Sequence, residues 1–202
     1  GTVVGETLPS TALQQNSFAI WRGAEVGDFD LQFEWLIEGG NSGVQFRSLR
    51  SPGSWRVAGY QADIDYAGQV TGICYGEGDP RGILSQRGER TSYIAGQKQS
   101  SRWGFTRGAN VSTTHGWNRY RVLARGSEVK LFVNEQLATE MVDEHPTFSR
   151  RSGIIALQLH AGPPMRVHFR NMVLKRLSSG IPSSGSPISH PQAVAHHRDS
   201  DG

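Results

Sequence analysis

The chain has 202 residues, enough for one domain with a full hydrophobic core. Its 25 glycines and 9 prolines favour many tight turns, and so an all-β protein over a helical one. The net charge is only +3, and the basic residues form no stripe interleaved with aromatic residues, which argues against nucleic-acid binding. Cys74 is the only cysteine, which excludes an internal disulfide and a cysteine-based zinc site. No apolar run approaches the ~18 residues of a membrane span.

The first part of the chain predicts strands. The opening GTVVGETL is already strand-like and shows no secretory leader, so we expect that the protein's true start has been removed. In DFDLQFEWLIE, every second residue from Phe29 to Ile37 is apolar, which predicts a strand with one buried face. VQFRS follows the glycine turn of GGNSG and is interpreted as the second arm of a hairpin. GYQADID alternates in the same way.

The rest of the chain continues this pattern. Residues 66–116 are rich in glycine, arginine and serine and predict long loops with short strands, which are often functional. Residues 117–144 predict three strands with turns at Arg125-Gly126 and Asn134-Glu135. GIIALQLHAG and MRVHFRNMVLKRL complete the set. Residues 1–177 therefore predict an all-β, two-sheet antiparallel sandwich of the jelly-roll kind.

A change in composition marks the end of this domain. Residues 178–202 consist mainly of Ser, Gly, Pro and His and have little apolar content. Such a segment cannot bury enough surface to offset its ordering entropy, so we interpret it as a flexible tail or a linker. A linker would allow fusion to other domains.

The polar residues of the strands suit a saccharide groove. If all the apolar faces point to the core, one outer face carries Gln32, Glu34, Gln45, Arg47, Gln61, Asp63, Asp65, Gln158 and His160. Amides, carboxylates and a guanidinium make paired hydrogen bonds to vicinal sugar hydroxyls. A carboxylate near a histidine also supplies acid–base chemistry near neutral pH. The alternative is that these groups pair with one another as solvated ladders. Trp103 either stacks on a sugar ring or belongs to a satellite core.

A cofactor is not marked by any motif. Glu34, Asp63, Asp65 and His160 offer oxygen and imidazole ligands for a divalent cation, but no ligand spacing points to one. The glycines of GEGDPRG do not make a phosphate loop, because no Lys-Ser/Thr follows them. A nucleophile elbow of the G-x-S-x-G type is missing from the sequence.

Several segments resemble one family. DFDLQFEW, GGNSGVQFRS, GYQADID, GWNRYRVLARGSEVKLFVN and GIIALQLHAGPPMRVHFRNMVLKRL together resemble the bacterial 3-keto-disaccharide hydrolase family, over about residues 1–177. The resemblance implies a concanavalin A-like sandwich that is exported to the periplasm or the cell exterior. It also implies substrates that are glycosides already oxidised to a ketone at sugar carbon 3.

The resemblance further implies a mechanism. The ketone acidifies the C2–H bond, so a base can remove this proton and expel the glycosidic oxygen, and water is added afterwards. In this hypothesis Arg47 stabilises the enolate or binds a hydroxyl, Glu34 or Asp63 is the base, and His160 is the acid or a metal ligand. Asp63 stands where many relatives have Gln, and Glu135 where the family usually has Gly. Two competing hypotheses are a non-catalytic carbohydrate-binding module of a larger protein and a protein–protein interaction domain.

Overall fold

The computed structural model describes residues 1–7, 12–52, 54, 56–103 and 116–178. The predicted tail, beyond Ser178, and the residues that follow Trp103 up to 115 lie outside the described part. The described residues form strands that are numbered here in chain order: β1 Thr2–Glu6, β2 Ser17–Ile20, β3 Phe29–Glu38, β4 Asn41–Arg50, β5 Val57–Asp65, β6 Cys74–Glu77, β7 Ile83–Ser85, β8 Glu89–Ile94, β9 Gln97–Arg102, β10 Asn118–Arg125, β11 Glu128–Val133, β12 Gln136–Glu144, β13 Ile154–Leu159 and β14 Arg166–Arg176.

These strands build two sheets. The eight-stranded sheet has the order β1-β14-β3-β10-β11-β12-β8-β9, and the six-stranded sheet has the order β2-β13-β4-β5-β6-β7. Neighbouring strands are antiparallel except for β12 and β8, which are parallel. The predicted all-β, two-sheet sandwich is confirmed. Within the described ranges no helix is long and apolar enough to cross a membrane.

The core lies between the sheets and is filled by alternate residues of both. Phe29 of β3 and Phe46 of β4 meet edge to face with ring centroids 6.0 Å apart. Phe33 stacks on Tyr120 at 5.3 Å within the eight-stranded sheet. All four side chains are at most 2% exposed. Burial of each aromatic side chain contributes about 1.5–3 kcal/mol, so the period-2 pattern fixes which face of each strand points inward.

The predicted hairpin between β3 and β4 is wrong. β3 pairs with β14 and β10, whereas β4 pairs with β13 and β5 in the other sheet. Gly39 and Gly40, with φ of 78° and 69°, let the chain turn from one sheet to the other. The apolar faces of the two strands therefore meet across the core, and their polar faces point in opposite directions.

The region 66–116, predicted as loops with short strands, contributes to both sheets. β6 and β7 extend the six-stranded sheet, and β8 and β9 form the far edge of the eight-stranded one. Each of these strands has three to six residues. β6 matters most for function, because it brings two further polar side chains, Tyr75 and Glu77, to the outer face of the six-stranded sheet.

Candidate functional site

The outer face of the six-stranded sheet collects a set of amides and carboxyls. Directly paired residues on neighbouring strands share a face. One row across this sheet joins Gln45, Gln61 and Tyr75, on β4, β5 and β6. The adjacent row joins Gln158 of β13, Gly43 of β4 and Asp63 of β5. Four residues that the sequence predicts on one outer face are thereby brought together, namely Gln45, Gln61, Asp63 and Gln158.

A continuous chain of hydrogen bonds orders these side chains. The hydroxyl of Ser48 donates to Oε1 of Gln45 at 2.7 Å, and Nε2 of Gln45 donates to Oε1 of Gln61 at 2.5 Å. Nε2 of Gln61 then donates to Oδ1 of Asp63 at 2.5 Å and to Oε1 of Gln158 at 3.2 Å. Each amide uses its oxygen as an acceptor and its nitrogen as a donor. The chain therefore fixes the orientation of every group and ends on the Asp63 carboxyl.

Gly43 provides the space for this arrangement. A Cβ atom at position 43 would lie 2.7 Å from Cγ and Cδ of Gln61. Since Gly43 sits between Gln158 and Asp63 in its row, the Gln61 side chain can lie over β4 and reach both of them. Any other residue at this position would push Gln61 away from Asp63.

Glu77 of β6 joins the network on the same face, from the strand that lies beyond β5. Its carboxylate accepts from Nε2 of Gln158 at 3.2 Å and from Nδ2 of Asn16 at 3.3 Å. In a flat sheet, β6 and β13 would lie about 14 Å apart, because β4 and β5 separate them. Their side chains nevertheless meet above β4 and β5, which requires that the sheet curves towards them. This outer face is therefore concave. Asn16 is itself held by the backbone N–H of Ala161, which donates to its Oδ1 at 2.9 Å.

Asp63 is the group with acid–base capacity near neutral pH. Burial raises the pKa of Asp63 to about 7; the hydrogen bond from Gln61 opposes this rise, and the negative charges of Glu77 and Asp65 add to it. Asp63 is 6% exposed. Within the described part of the chain, only Oδ1 has a hydrogen-bond partner, so Oδ2 is available to a ligand. A carboxyl that titrates near pH 7 can act as a general base and return the proton afterwards.

Two neighbours of Asp63, Glu77 and Tyr75, also have raised pKa values. Burial raises the pKa of Glu77, although its amide partners and the charge of His160 oppose this. Burial also raises the pKa of Tyr75, and the charges of Glu77 and Asp63 add to the rise. Tyr75 is only partly buried, and its hydroxyl has no hydrogen-bond partner among the described residues. It is therefore a neutral donor that remains free beside two carboxyls.

His160 lies at the end of β13, next to this cluster. Its Nδ1 is 2.6 Å from the carbonyl oxygen of Ala161, and its charge acts on Glu77. The prediction placed His160 beside a carboxylate. In the structure the carboxylate whose pKa is affected by the charge of His160 is Glu77, which is not among the residues predicted from the sequence.

The structure does not bring Glu34 to this face. Glu34 lies on β3 of the eight-stranded sheet, where Nε of Arg170 donates to its Oε2 at 2.7 Å. This hydrogen bond lowers the pKa of Glu34, so it is an ionised partner of an arginine. Gln32 lies on the same strand and donates to Asp30 at 3.3 Å. The predicted single face fails for β3 because the Gly39-Gly40 turn changes sheets.

Arg47 is also turned away from the cluster. It is 0% exposed and has a φ of 47°, at a β-bulge between Phe46 and Leu49. Its guanidinium donates to the carbonyl oxygens of Gly27 and Gly126 at 2.9 and 2.7 Å and pairs with Asp28 at 3.0 Å. The bulge shifts the alternation by one position, so the side chain points into the gap between the sheets. Its observed contacts are structural.

Asp65 and Trp103 occupy other places as well. Both carboxylate oxygens of Asp65 accept hydrogen bonds from the loop that follows β5, including 2.7 Å from the N–H of Thr71. Asp65 thus shapes this loop. Trp103 follows β9 at the edge of the eight-stranded sheet, where its backbone N–H donates to the carbonyl oxygen of Gly88 at 2.9 Å.

A cation site does not emerge from the predicted ligands. Glu34 lies on the other sheet, and the oxygens of Asp65 are already occupied by the loop. Among the described residues, no three His, Cys, Asp or Glu side chains are grouped so that they could hold a metal ion. The described residues at this face do not fit a divalent cation.

Sequence reasoning missed Tyr75, Glu77 and Asn16. In CYGE the two outward residues alternate with the buried Cys74 and Gly76, which is a short period-2 signal. The residues around it are rich in glycine and predict long loops with short strands, which does not single out these four residues. Asn16 lies outside any strand and gives no comparable signal.

Solved structures share this architecture. The carbohydrate-binding module CBM66 from Bacillus subtilis superposes with a TM-score of 0.52 at 14% identity, covering 87% of this chain and 92% of that one. A candidate glycosyl hydrolase from Parabacteroides distasonis ATCC 8503 gives 0.53 at 15% identity, covering 88% and 81%. A Bacillus subtilis protein with a galectin-like fold gives 0.52 at 9% identity, covering 87% and 88%. At these identities the likeness concerns the fold alone.

Fold and sequence together place the protein among carbohydrate-related, galectin-like β-sandwiches. More narrowly, the chain belongs to the 3-keto-disaccharide hydrolase family: residues 1–175 match its 3-keto-alpha-glucoside-1,2-lyase-like domain. The resemblance seen in the sequence is thereby confirmed. None of the functionally curated proteins matches the chain in sequence.

Proposed function

We propose that this protein cleaves 3-keto-glycosides by elimination, with Asp63 as the base that removes the C2 proton. The observation that carries the proposal is the Asp63 carboxyl, whose pKa is raised to about 7 by burial and whose Oδ2 is unpartnered among the described residues. Membership of a family described as 3-keto-alpha-glucoside-1,2-lyase-like supports this substrate class.

The chemistry follows from the ketone at sugar carbon 3. Asp63 takes the proton from C2, and the C–H electrons form an enolate that extends to the C3 oxygen. The enolate then expels the oxygen on C1, which leaves with its electron pair as the C1–C2 double bond forms. Addition of water at C1 and return of a proton to C2 give the free 3-keto sugar. Hydrolysis by this route avoids the oxocarbenium transition state of ordinary two-carboxylate glycosidases.

The neighbouring groups fit the remaining tasks. Tyr75 stays protonated because its pKa is raised, and its free hydroxyl can donate to the oxygen on which enolate charge develops. Glu77 has a raised pKa as well and can protonate the leaving oxygen, and the charge of His160 acts on the same carboxyl. The ordered amides of Gln45, Gln61 and Gln158 hold Asp63 in one orientation, so little reorganisation is needed during the reaction.

A second candidate function is saccharide binding without catalysis. The fold of CBM66 supports it, because a carbohydrate-binding module shares the sandwich over 92% of its length. The acid–base character of Asp63 favours the catalytic proposal, since a binding surface has no need of a desolvated carboxyl. In either case we propose that the protein acts outside the cytoplasm, in the periplasm or the exterior, on a saccharide.

The test is release of the aglycone from a chromogenic 3-keto-α-glucoside by the purified protein, with and without a chelator. We expect turnover by the wild type and loss of about 10²-fold or more in Asp63→Asn. Absence of wild-type turnover together with measurable binding of the sugar would establish the binding function instead. Equal rates for the wild type and Asp63→Asn would contradict the assignment of the base.

A further inference from the structure

The outer edge of β14 is covered by β1 over only half of its length. Thr2–Glu6 pair with Arg166–Arg170, so β1 lies beside the first half of β14. Past Thr2, the described part of the chain places no strand beside residues 171–176, whereas the other side of β14 pairs with β3. Alternate N–H and C=O groups of such an edge point sideways and can pair with a further strand. Residues 171–176 are therefore called the free edge of β14.

The space between the two sheets is open behind this free edge. A cavity of about 360 Å³ lies there, and residues of both sheets line it. Its mainly apolar lining includes Met172 and Leu174 of β14, Leu31 of β3, Ile155 and Leu157 of β13, and Trp21, which follows β2. Met172 is 37% exposed and Trp21 is 45% exposed, although both belong to this lining. Exposed apolar side chains that surround a cavity are typical of an interaction site.

β1 shows how a strand fits between the sheets at this side of the sandwich. It pairs with β14, and a Cβ atom on its Gly5 would lie 3.4 Å from Cδ1 of Leu159, on β13 of the other sheet. β1 thus contacts both sheets. A strand placed in line with β1, past Thr2, would pair with the free edge of β14 through its main chain. Every second side chain of that strand would point into the cavity.

A second copy of this chain does not fit the free edge well. Antiparallel pairing of two β14 edges over residues 171–176 would set Arg170 of one copy opposite Leu177 of the other. Thr2, which pairs with Arg170 on that side, would then overlap Leu177, whose N–H donates to the carbonyl oxygen of Asp28 at 2.9 Å. β9, the strand at the opposite edge of this sheet, has the sequence QKQSSR and brings no apolar side chain. The occupant that fits is a strand of a different polypeptide.

We propose that the free edge of β14 and the cavity behind it bind an extended segment of a partner protein, with apolar side chains at every second position. Six residues of this segment pair with residues 171–176. Main-chain hydrogen bonds supply affinity, and the cavity selects the alternation of side chains. The inference depends on inward-facing residues at the side of the sandwich, and it does not rest on the proposed function.

The experiment measures binding of a fluorescein-labelled peptide, Glu-Thr-Val-Thr-Val-Thr-Val-Thr-Glu, by fluorescence anisotropy. We expect saturable binding by the wild type. Met172→Glu places a charge at the mouth of the cavity and should weaken binding about ten-fold or more. Ile94→Glu is the matched control, because Ile94 is an apolar residue of β8, 53% exposed and away from the cavity. Its affinity should equal that of the wild type.

Two modified peptides test the pairing of main chains. One is N-methylated at every Val and the other at every Thr, so both keep their side chains but lose alternate N–H donors. We expect one of the two to bind about ten-fold more weakly than the unmodified peptide, because only one set of N–H groups faces β14. Full affinity of both would overturn strand pairing.

The remaining outcomes decide the occupant. Lack of saturable binding by the wild type, or equal affinity of the wild type and Met172→Glu, overturns the proposal. A dimer that sedimentation detects in the wild type and not in Met172→Glu would assign the edge to a second copy and overturn it as well. Melting curves show whether the variants fold. If Met172→Glu does not, Trp21→Ala alters the opposite wall of the cavity and should weaken binding in its place.

Discussion

Gln61 and Asp63 lie two residues apart on the outer face of β5, and Nε2 of Gln61 donates to Oδ1 of Asp63 at 2.5 Å. The same nitrogen donates to Oε1 of Gln158 at 3.2 Å, so both of its N–H bonds are used. The amide therefore cannot rotate without loss of a buried hydrogen bond, and it holds the carboxyl with Oδ2 free. The unreactive amide of Gln61 thus determines the orientation of the Asp63 carboxyl.

The role of Asp63 is tested by removal of its charge. Asp63→Asn keeps the shape of the side chain but cannot accept the C2 proton, so we expect turnover of a 3-keto-glycoside to fall by about 10²–10⁴-fold. Glu34→Gln is the matched control, because the same change is made on the other sheet, in an ion pair with Arg170. Its rate should equal that of the wild type. A large loss in Glu34→Gln with full activity in Asp63→Asn would reverse the assignment.

The pH dependence of the rate follows from the pKa of Asp63. Only the deprotonated carboxyl can act as the base, and its pKa is raised to about 7. We expect kcat/KM to fall about ten-fold per pH unit below pH 7, since this parameter reports the pKa of the free enzyme. A profile that stays flat down to pH 5 would show that a carboxyl with an ordinary pKa is the base.

The stability of the fold should depend on pH through the same group. Because the folded-state pKa of about 7 lies above the unfolded value of 3.8, the folded state holds the proton more tightly. The contribution of Asp63 to stability is thus fully present below pH 4 and is lost as the pH rises to 7, a difference of about 4 kcal/mol at most.

Asp63→Asn removes this titration. We expect the variant to gain stability relative to the wild type between pH 4 and pH 8, as measured by urea unfolding at several pH values. Glu34→Gln should differ from the wild type in the opposite direction and only below about pH 4.5, because the pKa of Glu34 is lowered from 4.5 in the fold and its stabilising contribution is lost as the pH falls. Parallel curves for the wild type and Asp63→Asn would mean that Asp63 is well solvated.

The space over Gly43 gives a test of orientation without a change of charge. Gly43→Ala places a Cβ 2.7 Å from the Gln61 side chain, which must then move away from Asp63 and Gln158. We expect kcat to fall about ten-fold or more, and the melting temperature to fall as well, because Gln61 loses its buried hydrogen bonds to Asp63 and Gln158. At Gly27 the Cβ would meet its nearest atom at 3.6 Å, so Gly27→Ala is the control that should leave kcat unchanged. Equal kcat values in the two variants would contradict the positioning role of Gln61.

The sequence predicted the strands better than their assembly. Period-2 alternation located β3, β10 and β11, because their apolar and polar residues alternate between a buried and a more exposed face. It also located β5, whose apolar and polar residues alternate although both of its faces are buried. It could not tell to which sheet a strand belongs, since a glycine turn looks alike in a hairpin and in a crossing between sheets. The alternation therefore predicts Glu34 and Asp63 on one face, whereas the thickness of the sandwich separates them in the structure.

The candidate site was predicted in part for a related reason. Gln45, Gln61, Asp63 and Gln158 follow the regular alternation of their strands and meet as expected. Arg47 breaks the alternation at a β-bulge, which has no signal in the sequence around it. Glu77 reaches Gln158 only because the sheet is concave, and curvature is a property of the whole sheet.

Substitution of Arg47 distinguishes a structural role from the substrate-binding role that the sequence predicts. Its side chain is fully buried, and its removal leaves the carbonyl groups of Gly27 and Gly126 without this donor and Asp28 without its ion-pair partner, although Asp28 keeps the hydrogen bond from the backbone N–H of Gly126. We expect Arg47→Ala to lower the free energy of unfolding by about 3–5 kcal/mol in urea titrations. Arg121→Ala removes a partly exposed partner of Asp30 and should cost about 1 kcal/mol or less. The folded fraction of the Arg47→Ala variant should have the same KM as the wild type, because the guanidinium does not reach the concave face. A sharply raised KM with little loss of stability would instead make Arg47 a substrate-binding residue, as the sequence alone predicts.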